Sequence, residues 1–153
     1  MNKKGAHGAE KISMTGKALI DTNILVYAYD LAEVEKQQKA LTLLDRLVAL
    51  NSAVLSSQIL SEFFSTVTKK ISQPLTFEEA EKRVTHFCQI WPILQINEMV
   101  VLEAIRGVKT YSFSYWDAQI WATARLNQVG TVLSEDFSHD SYIEGVRFIN
   151  PLQ

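Results

Sequence analysis

Five short apolar runs, separated by helix-length amphipathic stretches, constrain this chain more than anything else in it. The runs cover residues 18–21, 53–56, 93–96, 131–134 and 146–149. Strands alternating with helices predict a parallel sheet covered on both faces, an α/β/α three-layer sandwich of about five strands. Between the runs, residues 31–50 carry Val34, Ala40, Leu41, Leu43, Leu44, Leu47, Val48 and Leu50 at helical spacing. A second helix is expected over 58–71, before Pro74. Thr76 and Glu79 have capping-box spacing for a third that runs to about Ile90 and stops at Trp91-Pro92. Asn97 caps a helix to about Lys109 and Ser114 one to about Gln128, with Gly130 where a helix C-terminus would place it.

The 153 residues suit one domain, and a chain of this size buries roughly two-thirds of the surface it exposes when unfolded. Residues 1–16 lack an apolar period and read as a flexible extension, leaving 17–153 as the folded unit. No run approaches the ~18 apolar residues of a membrane helix, and Lys3-Lys4 is not followed by an apolar signal core. The single cysteine, Cys88, has no partner for a disulfide or a zinc site. A cytoplasmic protein is expected. The net charge of −2 disfavours a nucleic-acid-coating surface. It leaves room for local phosphate contacts at Lys69-Lys70, Lys82-Arg83, or Arg106 with Lys109, all of which also read as solvated helix faces.

Chemistry concentrates in four carboxylates at the ends or turns of these elements. Asp21 closes the first apolar run, where an Asp also commonly caps the next helix; Asn23 beside it can orient that acid or hold a water. Glu62 lies ~60° around the helical wheel from Ile59, at the margin of a buried face of Ile59, Leu60, Phe63, Phe64 and Val67. Asp117 opens a helix almost free of charge and has capping-box spacing from Ser114. Asp136 follows Ser134 in an acidic loop, with Glu135 and Asp140 near enough in sequence to back it up. Oxygen donors without clustered His or Cys suit Mg²⁺ or Mn²⁺ better than zinc. His7, His86 and His139 read as ordinary extension, helix and loop residues, and no phosphate-binding glycine loop, Ser-His-Asp set or Cys-His set is evident.

Residues 18–28 (ALIDTNILVYA), 58–63 (QILSEF), 115–118 (YWDA), 133–137 (LSEDF) and 143–151 (IEGVRFINP) carry a resemblance. From Lys17 to Leu152 the sequence resembles a PIN-domain ribonuclease, and within that group the VapC toxins of prokaryotic toxin–antitoxin pairs. The resemblance implies metal-binding, catalytic roles for Asp21, Glu62, Asp117 and Asp136, with Asn23 and Ser134 in support. It further implies Mg²⁺- or Mn²⁺-dependent RNA cleavage leaving a 3′-hydroxyl and a 5′-phosphate, a homodimer, and a small antitoxin partner. Two other readings are weaker. A haloacid-dehalogenase-type phosphatase needs a second Asp where this chain has Asn23, and a receiver-like or RNA-binding interaction module would use the acids only to bind a metal.

Overall fold

The computed structural model describes residues 16–153, so all of the expected leading extension but Gly16 lies outside the described residues. In chain order the elements are β1 (Ala18–Ile20), α1 (Thr22–Tyr27), α2 (Val34–Leu50), β2 (Ala53–Ser56), α3 (Ser57–Val67) and α4 (Phe77–Ile90). There follow β3 (Ile93–Leu94), α5 (Glu98–Tyr111), α6 (Tyr115–Leu126), β4 (Thr131–Leu133), β5 (Ser141–Ile143) and β6 (Val146–Ile149). The sheet order is β3-β2-β1-β4-β6-β5, and every pairing is parallel except β5 with β6. The expected parallel sheet flanked by helices is therefore present, with each expected run forming a strand and one antiparallel strand, β5, added at the edge.

The strand order matters for function. From β1 the chain steps outward through β2 to β3, then returns to lay β4 on the other side of β1. Beside β1, successive connections diverge in opposite directions, which opens a crevice at the carboxyl ends of the strands. β1 is completely buried, Ala18, Leu19 and Ile20 all at 0% exposure, as a strand covered on both faces requires. Its register with β4 pairs Ile20 with Leu133, so Asp21 and Ser134 emerge side by side at that edge.

α6 is buried from Ala118 to Ala124 and packs on α5. Gly107 permits that packing, since a Cβ there would stand 2.8 Å from the Trp121 ring.

The structure departs from the sequence reading in four places. Residues 22–27, assigned to no element in the sequence, form the short helix α1, which Asp21 caps. Of the expected inner face of α3, Ile59, Phe63 and Val67 are buried, whereas Phe64 is exposed. α6 ends at Leu126, and the left-handed residue past it is Gln128 (φ 56°), not Gly130; the Val129 N–H bonds the Ala124 carbonyl at 2.9 Å and carries Val129 into the core. Finally, β5 adds an antiparallel sixth strand, joined to β6 by a two-residue turn in which Glu144 (φ 45°) and Gly145 (φ 86°) both have positive φ, the backbone of a type I′ hairpin.

Candidate active site

Asp21 is 4% exposed. One carboxylate oxygen accepts the Thr22 N–H at 2.7 Å, capping α1, and the other accepts the Ser134 hydroxyl at 2.7 Å. Cap and site are thus the same group. Burial pushes its pKa from 3.8 up to about 7; the bonds from Ser134 and Thr22 oppose the rise, while the charges of Asp136 and Glu62 add to it.

Ser134 is the hub of this corner. Its Oγ donates to Asp21 and accepts from Asn23 Nδ2 (3.3 Å) and from the Asp136 N–H (3.0 Å). Asn23 Oδ1 in turn accepts the Glu135 N–H at 3.4 Å. Asn23 therefore reaches Asp21 only through Ser134.

Glu62 is half-buried and held through both oxygens. Thr22 Oγ1 donates to Oε2 and Gln58 Nε2 to Oε1, each at 3.0 Å. Gln58 also donates to the Trp116 carbonyl (3.2 Å) and accepts from Gln119 Nε2 (2.9 Å), whose own Oε1 accepts the Tyr115 hydroxyl (2.9 Å). Gln58 and Gln119 are 7% and 5% exposed, and these bonds satisfy buried amides that would otherwise be costly. Glu62, expected at the margin of the buried face, turns inward toward Thr22.

Asp117 sits in the first turn of α6, where its N–H bonds Ser114 Oγ at 3.3 Å. Burial raises its pKa; Ser114 opposes the rise, and Asp136 and Glu62 add to it. Asp136 is exposed at the mouth. Asp136 and Glu62 thus each act on both Asp21 and Asp117 across a single edge of the sheet. None of the groups acting on Asp21 or Asp117 is basic.

Two neighbours expected to back up Asp136 are otherwise engaged. Glu135 takes the Tyr27 hydroxyl and Lys36 Nζ (3.1 Å), and Asp140 pairs with Arg147. Among the basic groups, Arg106 is tied to Glu103 and Glu144. Lys69 and Lys70 lie past the C-terminal end of α3 (Ser57–Val67), ~10–12 Å along the axis from Glu62 at the helical rise.

Among the described residues, no three His, Cys, Asp or Glu side chains are drawn together as a ready-made metal cage. The donor chemistry nevertheless fits a hard divalent cation: oxygen only and mutually repelling, with Asp117 half-buried and Asp136 exposed. Sequence reasoning missed Thr22, Gln58 and Gln119. Gln58 had a signal, standing four residues before Glu62 on one helix face.

A family model described as the PIN domain matches residues 18–142, well over half of the chain. No curated protein matches. Solved structures with a similar fold include a toxin–antitoxin complex from Klebsiella pneumoniae, 21% identical, covering 88% of this chain and 98% of that one with a TM-score of 0.60. FitAcB from Neisseria gonorrhoeae is 22% identical, with coverage of 88% and 97% and a TM-score of 0.66. The sarcin–ricin-loop-cleaving toxin VapC20 of Mycobacterium tuberculosis is 16% identical, with coverage of 86% and 99% and a TM-score of 0.62.

Proposed function

This chain belongs to the PIN-domain family, and from that premise we propose that it is a Mg²⁺- or Mn²⁺-dependent endoribonuclease acting as the toxin of a toxin–antitoxin pair. The observation that carries this reading is the set of four interacting carboxylates beside the strand crossover, with no basic group acting on Asp21 or Asp117. Likeness in fold to toxins and toxin–antitoxin complexes supports the biological role.

Asp21, Glu62, Asp117 and Asp136 would hold the cation. When bound, it supplies Lewis-acid polarisation of the scissile phosphate and makes water easier to deprotonate. The chain's own residues do the rest by positioning. Ser134 fixes the Asp21 carboxylate plane from one side and the Thr22 N–H from the other. Thr22 and Gln58 hold Glu62 by one oxygen each, so the two carboxylates are oriented before substrate arrives. Repulsion between Asp136 and its neighbours keeps bare phosphate away until a cation offsets it. Hydrolysis by an in-line water leaves a 3′-hydroxyl and a 5′-phosphate.

The partners proposed are single RNA strands, a small antitoxin and a second copy of the chain. Purified protein should cleave mixed RNA with Mn²⁺ and not with EDTA, and Asp117→Asn should lower the rate by at least a hundredfold. Expression alone should arrest growth, relieved by a small protein encoded beside it. Robust cleavage by folded Asp117→Asn protein free of contaminating nuclease would refute the assignment.

A further inference from the structure

We propose that Trp116 is a stacking platform for one unpaired base of the RNA whose backbone lies at the carboxylates, a reading that rests on the nuclease function proposed above. The chain has three tryptophans. Trp91 and Trp121 are 4% and 0% exposed, whereas Trp116 is 62% exposed. An indole is among the largest apolar surfaces a chain can bury, so leaving one in water beside a site is informative.

Its place in the fold supplies the occupant. Trp116 precedes Asp117 in the first turn of α6 and lines a cleft of about 520 Å³ together with Glu62, Gln58 and the serines Ser57, Ser61 and Ser65. That size lies within the ~300–1,000 Å³ of ligand clefts. Around the indole the cleft is mainly apolar and edged by serine hydroxyls, the Gln58 and Gln119 amides being spent on their own partners, and its one charge, Glu62, is negative. A phosphate is therefore disfavoured in the cleft itself. A neutral aromatic base, with a π-face for the indole and polar edges for the hydroxyls, fits what is there. Ser57 Oγ accepts the Ile96 N–H at 3.3 Å and keeps its own proton to donate.

The platform is also fixed to the acids. Gln58 Nε2 donates to both the Trp116 main-chain carbonyl (3.2 Å) and Glu62 Oε1 (3.0 Å), so one amide ties the backbone that carries the indole to the carboxylate. The Tyr115 ring meets the indole edge-on, at 5.1 Å and 80°, which limits its swing. Stacking of this kind needs a base out of a duplex and is worth ~1–3 kcal/mol per base, largely irrespective of sequence. That corresponds to a ~5- to 150-fold effect on binding.

Two arms test this. With Mn²⁺ and a single-stranded RNA, Trp116→Ala should raise KM by ~5- to 150-fold, and Trp116→Phe should recover most of the loss. With Mg²⁺ and the Asp117→Asn protein, which leaves RNA intact, tryptophan emission should be quenched at RNA concentrations that saturate cleavage, and the quench should vanish on adding Trp116→Ala. An unchanged KM in Trp116→Ala, or no quench at saturation, overturns the platform; unchanged KM beside normal RNA cleavage leaves the nuclease reading standing and marks the exposed indole as a contact for protein instead. If wild type cuts no RNA, the nuclease reading fails and the platform that rests on it falls with it, whereas failure of the platform alone leaves cleavage intact.

Discussion

Asp21 gives one oxygen to the Thr22 N–H and the other to the Ser134 hydroxyl, and each oxygen keeps a second lone pair. Structural capping and cation binding are therefore compatible uses of one carboxylate, which is why spacing alone could not choose between them. Its titration has a definite sign. The folded pKa of about 7 lies above the unfolded value of 3.8, so the stability associated with the protonated form is complete below pH ~4 and is lost as pH rises through 7. The full loss is ~4 kcal/mol. In EDTA the melting temperature of the wild type should fall between pH ~4 and 7, and that of Asp21→Asn should fall less, its remaining slope coming from Asp117; parallel pH profiles would rule out Asp21 as the titrating group. A second prediction concerns Asp136. Because Glu135 is held by Tyr27 and Lys36, and Asp140 by Arg147, neither can replace it. Asp136→Asn should lower RNA cleavage as severely as Asp117→Asn, and a mild defect in a rate assay would show that a neighbouring acid does substitute.

At the level of elements, the α5–α6 contact depends on Gly107. A methyl group there meets a fully buried Trp121 ring at 2.8 Å, and overpacking of this kind costs ~1–3 kcal/mol. Better helix propensity returns ~1 kcal/mol. Gly107→Ala should thus melt several degrees lower in a thermal scan, with an unchanged or raised melting temperature showing that α5 and α6 can part without cost. The elements also show where sequence was legible. Residues 53–56 and 146–149 matched strands to the residue, since both are apolar runs of strand length. Thr76 caps α4 as its spacing with Glu79 implied. β5 was illegible because Glu144-Gly145 is not among the usual Asn-Gly or Asp-Gly hairpin pairs; tertiary contacts hold Glu144 there, through two bonds from Arg106 at 3.0 and 2.9 Å. α1 was missed because six residues are too few to display a helical period.

For the whole molecule, the decisive property is a strand order that brings acids from distant parts of the sequence to one edge. Asp21 and Ser134 are neighbours because β1 and β4 pair in register, and Glu62 joins them through Thr22. The four acids were identifiable in the sequence as a pattern of separated elements ending in carboxylates. The scaffold of Thr22, Gln58 and Gln119 was not, because a buried amide or hydroxyl has no periodic signature and is explained only by its partner across the fold. Among the described residues no helix is long and apolar enough to cross a membrane, and Cys88 is exposed and unpaired.

In the proposed function these carboxylates form a cation site whose repulsion is relieved by Mn²⁺ or Mg²⁺. Thermal melts of wild type, Asp21→Asn and Asp117→Asn at neutral pH, in EDTA and in millimolar Mn²⁺, test it most directly. Removing a charge should stabilise the metal-free protein, less about 1 kcal/mol for a weakened hydrogen bond. Ligand binding to the folded state adds ~2.7 kcal/mol at a hundredfold excess over Kd. Both variants should melt above wild type in EDTA, and only wild type should rise substantially with Mn²⁺. Variants that melt below wild type in EDTA and respond equally to Mn²⁺ would contradict a cation site, leaving these acids as helix caps.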